Sequence, residues 1–397
     1  MKDFPGSTGP LPRKDSTLKK LERMNRALRH EEPDRVPISD FFWGSFVTRW
    51  QRELALPPEA TPASYYDLDW TVVTPNLDPW IRPFHVLRET PDEVIVKTGF
   101  GAVVHKLFAH PMAEMRAWDI DSFEKLERAE FDDPRDRRRF FAGIDNQINC
   151  IGDSYLRAKE SWLDQVGAQW PDFPVYGSII EMSECLTRLV GQLNAMLWMG
   201  EYPQRMGEVI NRIGEFYFEM MRAEIEAGEE LLDGFVIWGD MAYKKSLFMS
   251  PAYWRAHFKP WVARMTELAH ARGLPVIYHG CGNVSAVFED FIEIGVDAYN
   301  PLEAKAGFDV VEMRRRYGHR MAFCGNGDVR IWENGDRESV RREVLRKLNA
   351  ARGGGFIFQS DHSVTSGVSG QTYDYIVKLV REYGRYPLNL GEFGQDL

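Results

Sequence analysis

Two periods of apolar spacing run along this chain, and the second half shows them most regularly. Short apolar runs at 175–179, 232–238, 275–279, 296–300, 321–324 and 355–359 read as strands buried on both faces. Between and after them lie stretches of helical spacing, near 206–229, 251–272, 284–294, 308–317, 337–352 and 371–383. Strand–helix alternation of this kind predicts a parallel sheet joined by right-handed crossovers. Two earlier runs, 36–39 and 69–73, bring the strands to eight. That number favours an α/β fold of the closed (β/α)8 (TIM) barrel type over an open doubly wound sheet. No glycine-rich dinucleotide fingerprint follows any strand, which argues in the same direction.

The first half is less regular. Residues 1–15 are rich in Gly and Pro and read as a loose arm. A helix then follows, with Leu18, Leu21, Met24 or Asn25, and Leu28 at helical spacing, Ser16 or Thr17 as cap, and Pro33 as stop. Residues 93–97 and 101–106, split by Thr98-Gly99-Phe100, predict a hairpin inserted near 90–110. The organisation expected is a single barrel over 16–397 with an elaborated N-terminal region.

Composition narrows the function classes. The 397 residues are 44% hydrophobic, enough for a large core, and the 49 basic against 59 acidic residues give a net charge of −10. No long basic tract offsets that balance, so nucleic acid is not an expected partner. Arg314, Arg315 and Arg316 sit at an expected helix C-terminus, where they complement the dipole. No apolar stretch reaches the roughly 18 residues of a membrane span. The N-terminus lacks an apolar secretory region. Four cysteines in so long a chain do not make a disulfide framework, so a reducing cytoplasm is the expected location.

The chemistry concentrates at expected strand ends. His279-Gly280-Cys281-Gly282 follows the run 275–278, and residues two apart on a strand share a face. Imidazole and thiolate are both preferred zinc ligands. Cys324 ends the run 321–324, and Asp361-His362 follows 355–359. A catalytic zinc site needs three protein ligands and an open position, which His279, Cys281 and either Cys324 or His362 would satisfy. Cys324, inside an apolar strand before Gly325, reads more as packing than as a ligand. Without a metal the same residues would be buried, hydrogen-bonded polar groups. Asp240 follows the run 232–238 and reads as a ligand orienter or base, with a turn cap as the bland alternative. Glu303 has a similar strand-end place. Glu181 and Glu184 either enter the mouth or occupy a solvated first helical turn. Asn326 and Asp328 orient ligands or close a turn. Phe41, Phe42, Trp43 and Phe46 follow the first strand and would wall a pocket or serve as lid packing. Lys244 and Lys245 are surface lysines within reach of an anion.

Several stretches together resemble the uroporphyrinogen decarboxylase superfamily of (β/α)8 barrels. They are the entry segment from Asn25 to Pro37, Phe248 to Arg255 with Phe258-Lys259-Pro260, Val276 to Asn283, Gly295 to Tyr299 and Gly353 to Phe358. The likeness covers most of 18–383 and is weakest from about 45 to 170. Two branches of that superfamily differ in chemistry. The true decarboxylases hold substrate carboxylates with arginines after the first strand, where this chain has Asp40-Phe41-Phe42-Trp43-Gly44-Ser45-Phe46. The zinc-dependent corrinoid methyltransferases carry His-x-Cys after one strand, as here, and a Cys after the last, where this chain has Ser360-Asp361-His362-Ser363.

The resemblance therefore implies a zinc-assisted methyltransferase, moving a methyl group between a small methylated substrate or thiol and a corrinoid on a separate protein. The expected roles are metal ligation by His279, Cys281, Cys324 and His362, and catalysis by Asp240, His362 and Glu303. Phe41, Trp43, Glu181, Asn326 and Asp361 are expected to bind substrate. The expected partners are the small substrate, the corrinoid protein and a second copy of the chain as homodimer, with no membrane. The rival is a metal-free decarboxylase acting on a carboxylate substrate, with the missing arginine segment counting against uroporphyrinogen itself, and with His362 and Asp240 in acid–base roles. A second rival is a non-catalytic binding protein, against which the convergence of titratable groups speaks.

Overall fold

The computed structural model describes residues 12–82, 85–110, 113–143 and 160–394. Among the described residues a seven-stranded parallel sheet runs through β1 (Thr71–Val72), β6 (Val175–Ile180), β7 (Gly234–Trp238), β8 (Val276–His279), β9 (Ala298–Asn300), β10 (Ala322–Gly327) and β11 (Phe356–Ser360), each paired with the next. Residues 36–39 close it. Ile38 bridges Phe358 in parallel, Ser39 N–H donates to the Phe358 carbonyl at 3.1 Å, and Asp69 N–H donates to the Ile38 carbonyl at 2.9 Å. The sheet thus meets itself through an eighth extended segment, and the architecture is the (β/α)8 barrel.

Every residue of β6, β10 and β11 is buried, as expected where one face lines the barrel and the other carries helices. The barrel interior is a cluster of its own: Trp70, Tyr176, Val236, Ile277, Ala298, Ala322, Cys324 and Ile357. Met24, Ala27 and Leu28 join it from the helix Asp15–Leu28, which plugs the N-terminal end of the barrel.

That first helix differs from its expected form. Lys14, not Ser16 or Thr17, holds the cap position, and the Thr17 hydroxyl donates instead to the Pro171 carbonyl at 2.6 Å. Leu18 is exposed, whereas Lys20 and Arg23 are buried. The reason is electrostatic. The inward face meets Asp69, Asp34 and the Asp172 carbonyl, and long cationic side chains answer them while their stems pack. The last residues of the expected loose arm are also fixed. Arg13 pairs with Asp233 and lies 3.4 Å over the Trp170 ring, and Lys14 pairs with Asp172. Residues 1–11 of that arm lie outside the described residues.

The crossover helices fall close to expectation, at Pro203–Gly228, Phe288–Ile294, Val310–Tyr317, Arg337–Lys347 and Gly370–Tyr383. The helix expected over 251–272 is two helices, Pro251–His257 and Lys259–His270. Pro260 sits in the first turn of the second, where a missing N–H costs nothing. The expected hairpin forms as β3 (Glu93–Lys97) and β4 (Ala102–Leu107). It is the centre of a four-stranded antiparallel sheet completed by β2 (His85–Glu89) and β5 (Glu114–Trp118). Both outer strands are largely solvent-exposed, so they carry little apolar alternation to read. The sheet rests on the barrel through Trp118, which lies so close to Gly191 (φ +81°) that a Cβ there would meet the indole at 2.7 Å.

Candidate functional site

The C-terminal strand ends form one mouth, and His279 is the last residue of β8. Its ring lies 4.7 Å from the Trp238 ring at the end of β7 and 6.2 Å from Phe41 beyond the first extended segment. Nδ1 meets Asn300 Oδ1 at 2.5 Å. The amide of Asn300 is oriented by its own partners, since Nδ2 donates to the Cys324 carbonyl at 2.9 Å and to Gln359 Oε1 at 3.2 Å. Oδ1 is left as the acceptor, so Nδ1 of His279 carries the proton. The lone pair is then on Nε2, which faces Cys281 Sγ at 3.5 Å and Asp240 Oδ1 at 3.7 Å.

Those separations match a metal site. Tetrahedral zinc, with nitrogen at about 2.05 Å and sulfur at about 2.3 Å, sets N and S about 3.5 Å apart and N and O about 3.4 Å apart. Asp240, His279 and Cys281 each offer one ligand atom, all within 4.8 Å of one another. A second group with the same property consists of Cys281, Glu303 and His362. Cys281 belongs to both. Burial, and then the negative charges of Asp240 and Glu303, push its thiol well above the ordinary range. A cation between these acceptors is what would favour its thiolate.

The turn carrying Cys281 is held from both sides. Cys281 N–H donates to Asp240 Oδ1 at 2.8 Å, and Gly282 N–H donates to Glu303 Oε2 at 3.0 Å. Gly282 has φ +82°, and a Cβ there would meet the Ala242 carbonyl carbon at 2.6 Å. A residue without a Cβ is therefore required where the 280–283 turn crosses the 241–243 backbone, and Asn283 N–H donates to the Tyr243 carbonyl at 2.8 Å. Glu303 also pairs with Lys305 at 2.9 Å.

The remaining predicted residues divide. His362 lies at the mouth with its ring 5.7 Å from Trp43, and burial, then the positive charge of Lys305, hold it below the ordinary histidine range. Glu181 caps the helix Met182–Val190 by accepting from Ser183 N–H at 3.2 Å. Its Oε2 is buried without a hydrogen-bond partner among the described residues, and burial pushes its pKa up to about 8. Asp361 ties the rim, accepting from Val329 N–H at 3.2 Å and from Ala304 N–H at 3.0 Å, and burial raises it to about 6. Asn326 is fully used by the wall. It donates to the Leu302 and Phe308 carbonyls at 2.6 and 3.1 Å, and accepts from Val310 N–H and Lys347. Cys324 is in the packed interior, with its thiol donating to Gln359 Oε1 at 2.9 Å, and is in neither ligand group. Phe42 and Phe46 pack on Tyr373, away from His279. Asp328 caps the helix Val329–Asn334 and pairs with Arg330; Glu184 pairs with Arg188; Lys244 and Lys245 are exposed.

Sequence reasoning missed Asn300, Gln359, Asp40 and Lys305. Asn300 is the last residue of β9, so its strand-end place was the available signal. Asp40 follows the first extended segment, and accepts from the Ser360 hydroxyl at 2.5 Å and from the Tyr373 hydroxyl at 3.1 Å. Burial raises it to about 8.

The uroporphyrinogen decarboxylase (URO-D) family model matches residues 171–383, more than half of the chain. This chain belongs to the uroporphyrinogen decarboxylase family. The matched region holds β6 to β11, and with them every candidate ligand. Among curated relatives, the uroporphyrinogen decarboxylase of Thermus thermophilus is 26% identical over 181 residues, 44% of this chain and 48% of that protein. That of Syntrophotalea carbinolica is 27% identical over 193 residues, 46% of this chain and 50% of that protein. The chain thus spans about half the length of the curated relatives it matches. Among solved structures, a methyltransferase from Methanosarcina mazei superposes with a TM-score of 0.63 at 16% identity, covering 92% of this chain and 98% of that one. The family contains enzymes, and the last likeness shows that the fold is shared over most of this chain. Among the described residues no helix is long and apolar enough to cross a membrane.

Proposed function

We propose that this member of the uroporphyrinogen decarboxylase family is a zinc-assisted methyltransferase, moving a methyl group between a small methylated substrate or thiol and a corrinoid carried by a separate protein. The observation that carries the reading is the lone pair of His279 Nε2, aimed by Asn300 at Cys281 and Asp240 with tetrahedral spacing. When bound there, zinc would supply a fixed positive charge that holds a thiol as thiolate or polarises a substrate oxygen. His279, Cys281 and Asp240 would hold it, leaving one position open. Glu303 and His362, on the other side of Cys281, would take or give a proton at the substrate. Phe41, Trp43 and Trp238 line the mouth with apolar rings suited to a methylated ligand.

The names of the curated relatives favour a second reading, decarboxylation of a carboxylate substrate. Asp40 and Glu181, buried acids raised to about 8, would be its proton donors at neutral pH. An acidic porphyrinogen fits poorly: 40–46 contains no arginine, and the nearby cations Arg188 and Lys305 already pair with Glu184 and Glu303.

Metal content separates the readings. Protein purified without chelator should carry one zinc per chain, lost in Cys281→Ser and kept in Cys324→Ala. Methylcobalamin with a thiol should show the cobalt spectrum change only with zinc-loaded protein. A folded, metal-free wild type that demethylates nothing overturns the methyltransferase.

A further inference from the structure

A second concave site lies at the other end of the barrel from the mouth. It is a cleft of about 270 Å³ lined by Ser16, Lys19, Lys20, Arg23, Arg35, Asp67, Arg381 and Arg385. Its walls come from the first helix, the entry to the first extended segment, and the end of the helix Gly370–Tyr383 with the residues that follow it. All of these lie at the N-terminal ends of the strands. Six cations therefore converge in a chain whose net charge is −10.

The carboxylates there do not match them. Asp67 pairs with Lys20 at 2.5 Å. Asp34 pairs with Arg23 at 2.7 Å, and Asp69 is shared by Arg23 at 2.5 Å and Arg35 at 2.7 Å. Three acids are thereby used by three cations. Lys19, Arg381 and Arg385 have no carboxylate partner among the described residues. Among the described residues Arg381 donates only to the backbone carbonyls of Tyr66 and Asp67, and its Nε is buried without a partner. Burial, together with the like charges of Arg35 and Arg23, holds the Arg381 guanidinium below its ordinary range. Like charges gathered in a concave, partly buried site repel, and a multivalent anion removes that repulsion. Guanidinium groups match phosphate oxygens in geometry as well as charge.

We propose that this cleft binds a diphosphate-class anion, free or as the diphosphate of a nucleotide. The lining has no aromatic ring to stack on a base, so recognition rests on the phosphate oxygens. The size and concavity suit a small anion. The site is separate from the mouth and makes no use of the proposed methyl transfer.

The test is calorimetric titration of the full chain with pyrophosphate and with ADP, at matched ionic strength, beside the double variant Lys19→Glu/Arg385→Glu. Both substituted residues are exposed, so the fold should persist, which circular dichroism checks. Arg381→Ala is a second variant, probing the wall. Pyrophosphate should bind, and the double variant should weaken it at least tenfold. The wild-type affinity should fall as salt rises. ADP binding as tightly as pyrophosphate identifies a nucleotide source, and pyrophosphate alone identifies a free anion; each supports the site. Absence of binding by both ligands, or equal binding by the folded double variant, overturns it.

Discussion

Asn300→Ala is the perturbation that most directly probes the candidate metal centre without touching a ligand. Asn300 accepts the Nδ1 proton of His279 at 2.5 Å, and is itself fixed by the Cys324 carbonyl and Gln359. Truncation removes that acceptor, and leaves the imidazole free to adopt the tautomer with its proton on Nε2, where a metal cannot bind. Loss of such an outer partner typically costs 10- to 100-fold in metal affinity, or about 1.4–2.7 kcal/mol. The ring is also wedged by Trp238 at 4.7 Å, which preserves its plane when the hydrogen bond is gone. The expected loss is therefore nearer tenfold than hundredfold. Competition for zinc against a chromophoric chelator measures it, with Cys281→Ser as reference for the larger loss of a true ligand. The variant also strands buried polar partners, at about 1–3 kcal/mol of stability, so the titration belongs well below its melting temperature. Zinc affinity unchanged in folded Asn300→Ala would refute the assignment of tautomer and orientation.

Two further outcomes follow from the geometry. Gly282→Ala should cost about 1–3 kcal/mol from its left-handed backbone alone, plus a steric term, because its Cβ would lie 2.6 Å from the Ala242 carbonyl carbon; chemical denaturation reads this, and a neutral effect would mean that the two loops part freely. The buried carboxyl of Asp40 is raised to about 8 from an ordinary 3.8, so the folded state holds this proton more tightly than the unfolded chain. Its contribution is full below about pH 4, declines as pH rises towards 8, and is lost above that; between pH 6 and pH 9 the decline is about 2.7 kcal/mol. Asp40→Asn should flatten that part of the stability profile, and a variant melting with the wild-type pH dependence would contradict it.

The barrel was legible because its strands are buried on both faces. Runs such as 355–359 and 321–324 then stand out as continuous apolar segments, and each was found within a few residues of its observed bounds. The four-stranded sheet was half legible: β3 has buried alternate positions and β4 is mostly buried, whereas β2 and β5 face solvent and leave no pattern. The first helix misled in detail, because Leu18, expected on its apolar stripe, faces solvent while Lys20 and Arg23 are buried beside Met24 and Leu28. At the site, His279 and Cys281 were visible from their spacing of two. The proximity of Asp240 and Glu303 to Cys281 was not, since it depends on how three strand ends curve together. Asn326 could not be sorted from Asn300 by sequence, as both end strands; the structure gives one to the wall and the other to the imidazole.

The helix Asp15–Leu28 has one more consequence. By covering the N-terminal end of the packed interior with Met24, Ala27 and Leu28, it leaves the mouth as the approach to the candidate site among the described residues. Whatever enters must leave by the same route. Two reactants of a group transfer would then have to take turns or share the doorway, and a large partner seated on the rim would trap the small one beneath it. Steady-state inhibition by product should accordingly be strongest when that partner is saturating.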